Sequence, residues 1–303
     1  MGIGMSFSGE VKEELVKQLT TARHCQLAEL AAIIEYTGAV RQTEAGISLL
    51  EIQQESPFVA QKCIMLLNRI FHVEIKMEED ENHFYYDNNE QITKILQAIK
   101  YTQQDDRVVN SLVMKSLCCK RAFLRGAFLS LGSMSNPEKG YHLEFVCENE
   151  SQAKQIQDTL SIFDVEAKIV ARKRYQVVYI KESEGIVEVL NIMGAHISLM
   201  NLENLRILKD MRNSINRRVN CEAANITKTV NAATKQIDDI LYIRDHYGFD
   251  NLSDNLREIA EVRLDYPDAT LKELGEYLEP KVGKSGVNHR LRKLSELADR
   301  LKT

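Results

Sequence analysis

Between Lys281 and Thr303 the chain gathers side chains suited to gripping a phosphodiester backbone. The bases are Lys281, Lys284, Arg290, Arg292, Lys293, Arg300 and Lys302, against only Glu296 and Asp299. Ser285, Asn288 and His289 stand among them. Arginine forks onto guanine, asparagine pairs with adenine edges, and lysine meets phosphate as a point charge. The first amides of a helix starting near Ser285 would add an anion site. A second basic run lies upstream: Arg206, Lys209, Arg212, Arg217 and Arg218, followed by Asn220, Asn225 and Lys228. This chemistry is the binding of an acidic polymer. The whole chain carries −5, with an acidic run at Glu78-Glu79-Asp80-Glu81, so binding rests on a local positive face.

Groups able to catalyse are sparse. Glu35 and Glu144 are the acids considered for a divalent ion. No phosphate-loop frame is present, which excludes a P-loop ATPase. The six cysteines show no CxxC spacing, so neither a zinc ribbon nor a thioredoxin-like site is indicated. Most sit inside apolar stretches and read as small buried hydrophobes, and a reducing cytoplasm is the simple inference. His24 and Cys25 are adjacent, and adjacent helical side chains do not face each other. They read as a surface histidine beside a core cysteine. No metal or cofactor is expected. Arg172-Lys173-Arg174, between two strand-like runs, is either a hairpin tip that touches phosphate or a solvated turn. No stretch approaches the roughly 20 apolar residues of a membrane helix. The opening MGIGMSFSGEVKEEL is not a signal peptide. Gly2 and Ser6 match the myristoylation pattern only by chance, and Met5 is an alternative start.

The elements that must position these groups fall into a repeat. A helix over Phe7–Thr20, capped by Ser8, precedes an almost wholly apolar helix from Cys25 to Gly38. Strands follow at Ala39–Gln42 and Ile47–Gln53, then a helix from Pro57 to Phe71. Strands at Val73–Met77 and His83–Asp87 and a helix at Glu90–Lys100 complete the set. The order returns as a helix over Lys120–Leu131 ended by Gly132, a strand at Tyr141–Cys147 and a helix at Ser151–Phe163. Strands at Val165–Ala171 and Tyr175–Ile180 and a helix at Ser183–Met193 close it. Leu30 and Leu124 are 94 positions apart, as are Gly38 and Gly132. Ile70-Phe71-x-Val73-Glu74 matches Ile162-Phe163-x-Val165-Glu166 with an offset of 92. Two copies predict a pseudo-two-fold pair.

Beyond Met193 only helical signals remain. We read a basic helix over Leu202–Arg218 and a second, beginning near Asn220, that Gly248 stops. Three more span Asp254–Leu264, Thr270–Leu278 and Ser285–Leu301. Thr270 and Glu273 form a capping box, Pro280 and Gly283 make a turn, and Ser285 caps the last helix. Leu271, Leu274 and Leu278 face inward, as do Val287, Leu291, Leu294 and Leu297. The expected domains are an N-terminal helix (1–22), a duplicated domain (23–200, repeats 23–100 and 117–194), a basic linker helix (201–222) and a helical domain (223–303). The fold class is α+β followed by an all-α domain.

Two nine-residue frames carry a resemblance: Leu30-Ala-Ala-Ile-Ile-Glu-Tyr-Thr-Gly38 and Leu124-Arg-Gly-Ala-Phe-Leu-Ser-Leu-Gly132. Their small residues permit close helix approach, and their end glycines a left-handed exit. They resemble the LAGLIDADG motif of homing endonucleases. That resemblance implies two central helices, flanking sheets that saddle DNA, and a metal-binding acid at the eighth position. Here that position holds Thr37 and Leu131, and Glu35 at the sixth is answered by Leu129. The resemblance thus supports the fold and argues against the nuclease. Residues 271–294 resemble the promoter-reading helix-turn-helix of sigma factors, in the pattern LxELGxxL…SxxNxRLRxL. Asn216 to Thr229 resembles a segment typical of WhiA proteins. Together these features, which cover nearly the whole chain, identify it as a member of the WhiA family. Membership implies a non-enzymatic transcription regulator linked to sporulation, or to cell division and chromosome segregation, in a Gram-positive bacterium. It implies double-stranded DNA as ligand, RNA polymerase or another regulator as protein partner, and a cytoplasmic, nucleoid-associated location. The expected DNA contacts are Lys284, Ser285, Asn288, His289, Arg290, Arg292, Lys293, Arg217, Arg218 and Asn220. Two other readings stay open: a protein scaffold with incidental DNA contact, and a nuclease using Glu35 with Glu144.

Overall fold

The computed structural model describes residues 5–42, 48–53, 57–75, 83–102 and 106–302. Gly2, the acidic run at 78–81 and the expected strand ends at Ile47, Met77 and the residue before it lie outside them. The chain divides into two compact units, Met1–Leu208 and Lys209–Thr303.

In the first unit, helix α1 (Phe7–Lys17) leads into α2 (Arg23–Thr37). Strands β1 (Gly38–Gln42) and β2 (Ser48–Gln53), helix α3 (Pro57–Phe71), strand β3 (His83–Tyr86) and helix α4 (Asn89–Ala98) complete the first repeat. The second holds α5 (Leu117–Leu131), β4 (Gly132–Met134), β5 (Leu143–Cys147), α6 (Glu150–Ser161), β6 (Lys168–Arg172), β7 (Tyr175–Ile180) and α7 (Ser183–Met193). Two antiparallel sheets result, in the orders β1-β2-β3 and β4-β5-β7-β6. In the second, Phe145 pairs with Gly132 on one side and Val178 on the other.

The amphipathic helices bury one face, but α2 and α5 are buried nearly all round, as their apolar sequences require. They cross at Gly126, where an added Cβ would lie 2.6 Å from the Glu29 carbonyl oxygen and 3.0 Å from Ala32 Cβ. Ala32 and Gly126 share the 94-residue offset, so the crossing falls on the repeat axis. Beside it, the buried Glu29 Oε1 accepts from Arg125 Nε at 3.0 Å and meets Lys62 Nζ at 3.1 Å. Lys62 also donates to the carbonyls of Leu15, Val16 and Gln18, and Arg125 to that of Met193. Burial lowers the Lys62 pKa while Glu29 pulls it back up. This network ties α1, α3 and α7 to the central pair.

Several expectations are corrected. Ser6, not Ser8, caps α1 by accepting from the Gly9 amide, and the Ser8 hydroxyl accepts from Met134 N instead. Residues 73–75 form no strand, and β6 begins three residues later than expected. The variable position of the repeated Ile-Phe-x-Val pattern is the reason: His72 (φ 57°) and Asp164 (φ 59°) both turn left-handed and redirect the chain. The glycines ending the two frames are not left-handed; both have φ −82°.

No helix break occurs near Asn220. One helix, α8, runs from His196 to His246, because nothing between Arg218 and Glu222 is a glycine or proline. Gly248 (φ 83°) stops it as expected. Within the second unit, α8 leaves Met211, Ile215, Val219, Ile226 and Val230 exposed and buries Ile240 and Ile243. Those two join the core of α9 (Asp254–Asp265), α10 (Leu271–Glu276) and α11 (Lys284–Lys302). No helix among the described residues is long and apolar enough to cross a membrane.

Gly126→Val should lower the unfolding free energy by about 1–3 kcal/mol or more, since backbone rather than a flexible side chain blocks the added atoms. Urea unfolding followed by circular dichroism measures it, with Gly140→Ala, which meets nothing within 4 Å, as the neutral control.

Candidate nucleic-acid interface

The second unit builds its helix-turn-helix from close backbone contacts. Thr270 and Glu273 form the expected capping box at the start of α10. The chain then doubles back so tightly that Val282 N donates to the Gly275 carbonyl at 3.0 Å. A Cβ on Gly275 would fall 1.9 Å from the Val282 oxygen, so no other residue fits there. Val287, Leu291, Leu294 and Ala298 are the buried face of α11, while Leu297, expected in that set, is only partly buried. The far end of α11 is fixed by Lys302 Nζ, 2.8 Å from Asp239 of α8.

This packing leaves Lys284, Ser285, Asn288, His289, Arg292 and Lys293 exposed. Two sequence expectations change. Ser285 does not cap α11: the helix starts at Lys284, and the Gly283 carbonyl accepts from Val287 N at 3.1 Å. Ser285 instead sits in the first turn. Arg290 is only 19% exposed in its side chain and leans on α9, 3.5 Å from both the Asn255 carbonyl and Glu258. Position 290 borders the buried stripe of 287, 291 and 294, which explains its inward lean. The other Glu258 oxygen accepts from Glu279 N, so one carboxylate joins α9, the turn and α11. Arg292 pairs with Glu296 at 3.0 Å on the surface, an interaction weak enough to exchange for phosphate. On α8, Arg217, Arg218 and Asn220 are all exposed, with Arg218 3.2 Å from Glu222.

In the first unit the two frames lie side by side. The Thr37 hydroxyl donates back to the Ile33 carbonyl at 2.6 Å, and Leu131 packs against the core. Glu35 is buried, and burial pushes its carboxyl up to about 7, opposed by Arg107 and aided by Asp106. Glu144 has different neighbours: His142 Nε2 at 3.0 Å and Arg172 Nη2 at 3.1 Å. Burial works to raise the Glu144 carboxyl, but these hydrogen bonds together hold it below the usual range. Glu35 is therefore largely shared between protonation states near neutrality, while Glu144 is an ion-paired anion. The hairpin between β6 and β7 turns at Lys173 (φ 55°). Arg172 is engaged by Glu144, and Arg174 Nη2 donates to Tyr175 Oη at 2.6 Å. His24 and Cys25 do meet, contrary to the adjacency argument. His24 Nδ1 is 3.4 Å from Cys25 Sγ and 3.1 Å from Cys119 Sγ, since atoms of neighbouring residues can converge on a third group.

These features define a class of protein: a duplicated LAGLIDADG-like domain joined to a helix-turn-helix domain. Family comparisons agree. Residues 23–100 match the WhiA N-terminal LAGLIDADG-like domain, 120–212 the WhiA LAGLIDADG-like domain, and 215–298 the WhiA C-terminal HTH domain. The chain belongs to the WhiA family. It is 51% identical to the probable cell division protein WhiA of Lachnoclostridium phytofermentans, over 98% of this chain and 100% of that one. With its counterpart from Lachnospira eligens it shares 48% identity over 98% of each. A crystal structure of full-length WhiA from Thermotoga maritima superposes with a TM-score of 0.59 at 26% identity, covering 97% of this chain and 98% of that one.

The raised Glu35 carboxyl has a pH signature. Its folded pKa exceeds the unfolded value of about 4.3, so the folded state holds the extra proton between about pH 4.3 and 7. Its contribution to stability is therefore present below the unfolded pKa and declines as pH rises through about 7. Glu35→Gln should gain stability relative to wild type at pH 8 compared with pH 4, by up to about 3 kcal/mol. Urea titrations at the two pH values measure the gap.

Proposed function

We propose that this chain is a transcription regulator that binds double-stranded DNA through the exposed face of α11. The observation carrying this reading is the split of that helix. Asn288, His289, Arg292 and Lys293 face solvent directly after a helix-turn-helix bend, while Val287, Leu291 and Leu294 anchor the opposite side. Side chains at the N-terminal end of such a helix meet base edges in the major groove. Lys284 and Ser285 lie where the first amides of α11 offer an anion site, and Arg217, Arg218 and Asn220 supply further phosphate or polar contacts. Arg290 holds α11 on α9 and acts through position rather than by touching DNA.

The duplicated domain serves this regulator without cleaving DNA. A Thr37 hydroxyl spent on its own helix and a Leu131 side chain give a divalent ion no symmetric pair of carboxylates. The divergent environments of Glu35 and Glu144 speak against a displaced pair. The names of the relatives point to cell division as the process regulated; sporulation and chromosome segregation are roles that the family resemblance alone implies. RNA polymerase or another regulator is the protein partner this reading calls for, at the nucleoid.

The test is a salt-dependent titration of the full chain against duplexes selected from a randomised pool. Arg292→Ala/Lys293→Ala should weaken binding by about 1–3 kcal/mol for each base edge that these side chains read. The slope of log affinity against log salt should shrink by about 0.9 for each phosphate they neutralise. Arg290→Ala should instead lower the thermal stability of the helix-turn-helix. An unchanged affinity and slope in the double variant would remove α11 from recognition. Magnesium-dependent plasmid nicking that Glu35→Gln or Glu144→Gln abolishes would restore the nuclease reading.

A further inference from the structure

The first turns of α2 and α5 bring together His24, Cys25, Cys118 and Cys119, whose donor atoms all lie within 4.8 Å of one another. The imidazole reaches two of the sulfurs, Cys119 at 3.1 Å and Cys25 at 3.4 Å. All three cysteines are free thiols. Ala22, Ala28 and Ala122 pack against Cys25 and Cys119. Around a tetrahedral zinc with bonds of about 2.3 Å, sulfurs stand roughly 3.7 Å apart, so the cluster closes onto an ion by moving about an ångström.

Packing alone does not explain these residue types. Alanine fills the neighbouring positions of the same interface, whereas His24 and Cys118 are exposed and fill no core. The pairs also obey the repeat: Cys25 and Cys119 are 94 positions apart, as are His24 and Cys118, the offset that relates Gly38 to Gly132. The pseudo-two-fold thus delivers one adjacent donor pair from each central helix to a single point. Two helix N-termini meet there. Three sulfurs and one imidazole form a donor set for zinc rather than for magnesium or calcium.

We propose that His24, Cys25, Cys118 and Cys119 form a closed, four-coordinate zinc site that clamps the N-terminal ends of α2 and α5. Four protein ligands leave no open position, so the role is structural. Thr37 and Leu131 lie thirteen residues beyond His24 and Cys118 along each helix, about 20 Å away, so this site is separate from the eighth positions of the two frames.

The test uses the full chain without a histidine tag, stripped of metal under reducing conditions and titrated with cobalt(II). The proposal expects saturation at a single cobalt per chain, with the thiolate charge-transfer and d–d bands of a tetrahedral complex, both abolished by added zinc. Cys118→Ser, at an exposed position, should keep the wild-type circular dichroism. It should lack these bands and weaken cobalt binding by more than the roughly 10–100-fold that outer-shell changes cost. Cys221→Ser, exposed on α8, should bind as wild type does. Zinc should raise the melting temperature of wild type and leave that of Cys118→Ser unshifted. A wild type without tetrahedral bands overturns the proposal, as does a Cys118→Ser variant that binds cobalt equally. Mass spectrometry of the protein purified without reductant that finds Cys25 joined by a disulfide to Cys118 or Cys119 overturns it in favour of a redox pair.

Discussion

Helices α2 and α5 approach so closely at Gly126 that a single added carbon would strike the Glu29 main chain, and the architecture of the first unit follows from that approach. Helices crossing at backbone distance must be lined by small residues, which accounts for Ala31, Ala32, Gly126 and Ala127. They must also be apolar on several sides, which leaves them no free face. Each can then receive its own sheet and outer helices, and duplication supplies a second set about the same axis. The Glu29–Lys62–Arg125 network adds specificity to this seam. Its charges are buried, so removing one partner strands the others, at a cost of about 3–5 kcal/mol.

The same constraint shapes both ends of the helix pair. At the C-terminal ends the Thr37 hydroxyl bonds back to its own helix and Leu131 packs against the core, so both side chains serve the seam. At the N-terminal ends, His24 and Cys25 converge with Cys118 and Cys119. In the second unit a comparable close approach, Gly275 against Val282, sets the bend that presents α11. Glu258 and Asp239 then hold α11 near its start and at its end. The exposed polar face of α11 is thus the product of interactions made on its other side.

Much of this is legible in the sequence because it rests on local signals. The repeat offset, the apolar frames and the Thr270–Glu273 capping box each depend on residues a few positions apart, or on a pattern that recurs whole. The differences between sequence and structure have one cause: a local signal overruled by its surroundings. Asn220 reads as a helix start, yet α8 passes through it unbroken. Val73-Glu74-Ile75 alternates like a strand, but the left-handed His72 sends it elsewhere. Arg290 shares the composition of the outer face but borders the buried stripe. The thiol–imidazole cluster escapes any search for CxxC spacings, because its donors come from two distant segments. Its signal in the sequence is the same 94-residue offset, carried by paired residues in the two frame helices.

The central claim is that DNA recognition resides on α11 rather than on the sheets of the duplicated domain. Amide hydrogen exchange on the full chain, with and without a selected DNA duplex, tests this most directly, because the first amides of a helix lack internal partners and report what they touch. The account predicts new protection over 284–293 and unchanged exchange in β5, β6 and β7. Protection confined to those strands, with α11 unaltered, would contradict it.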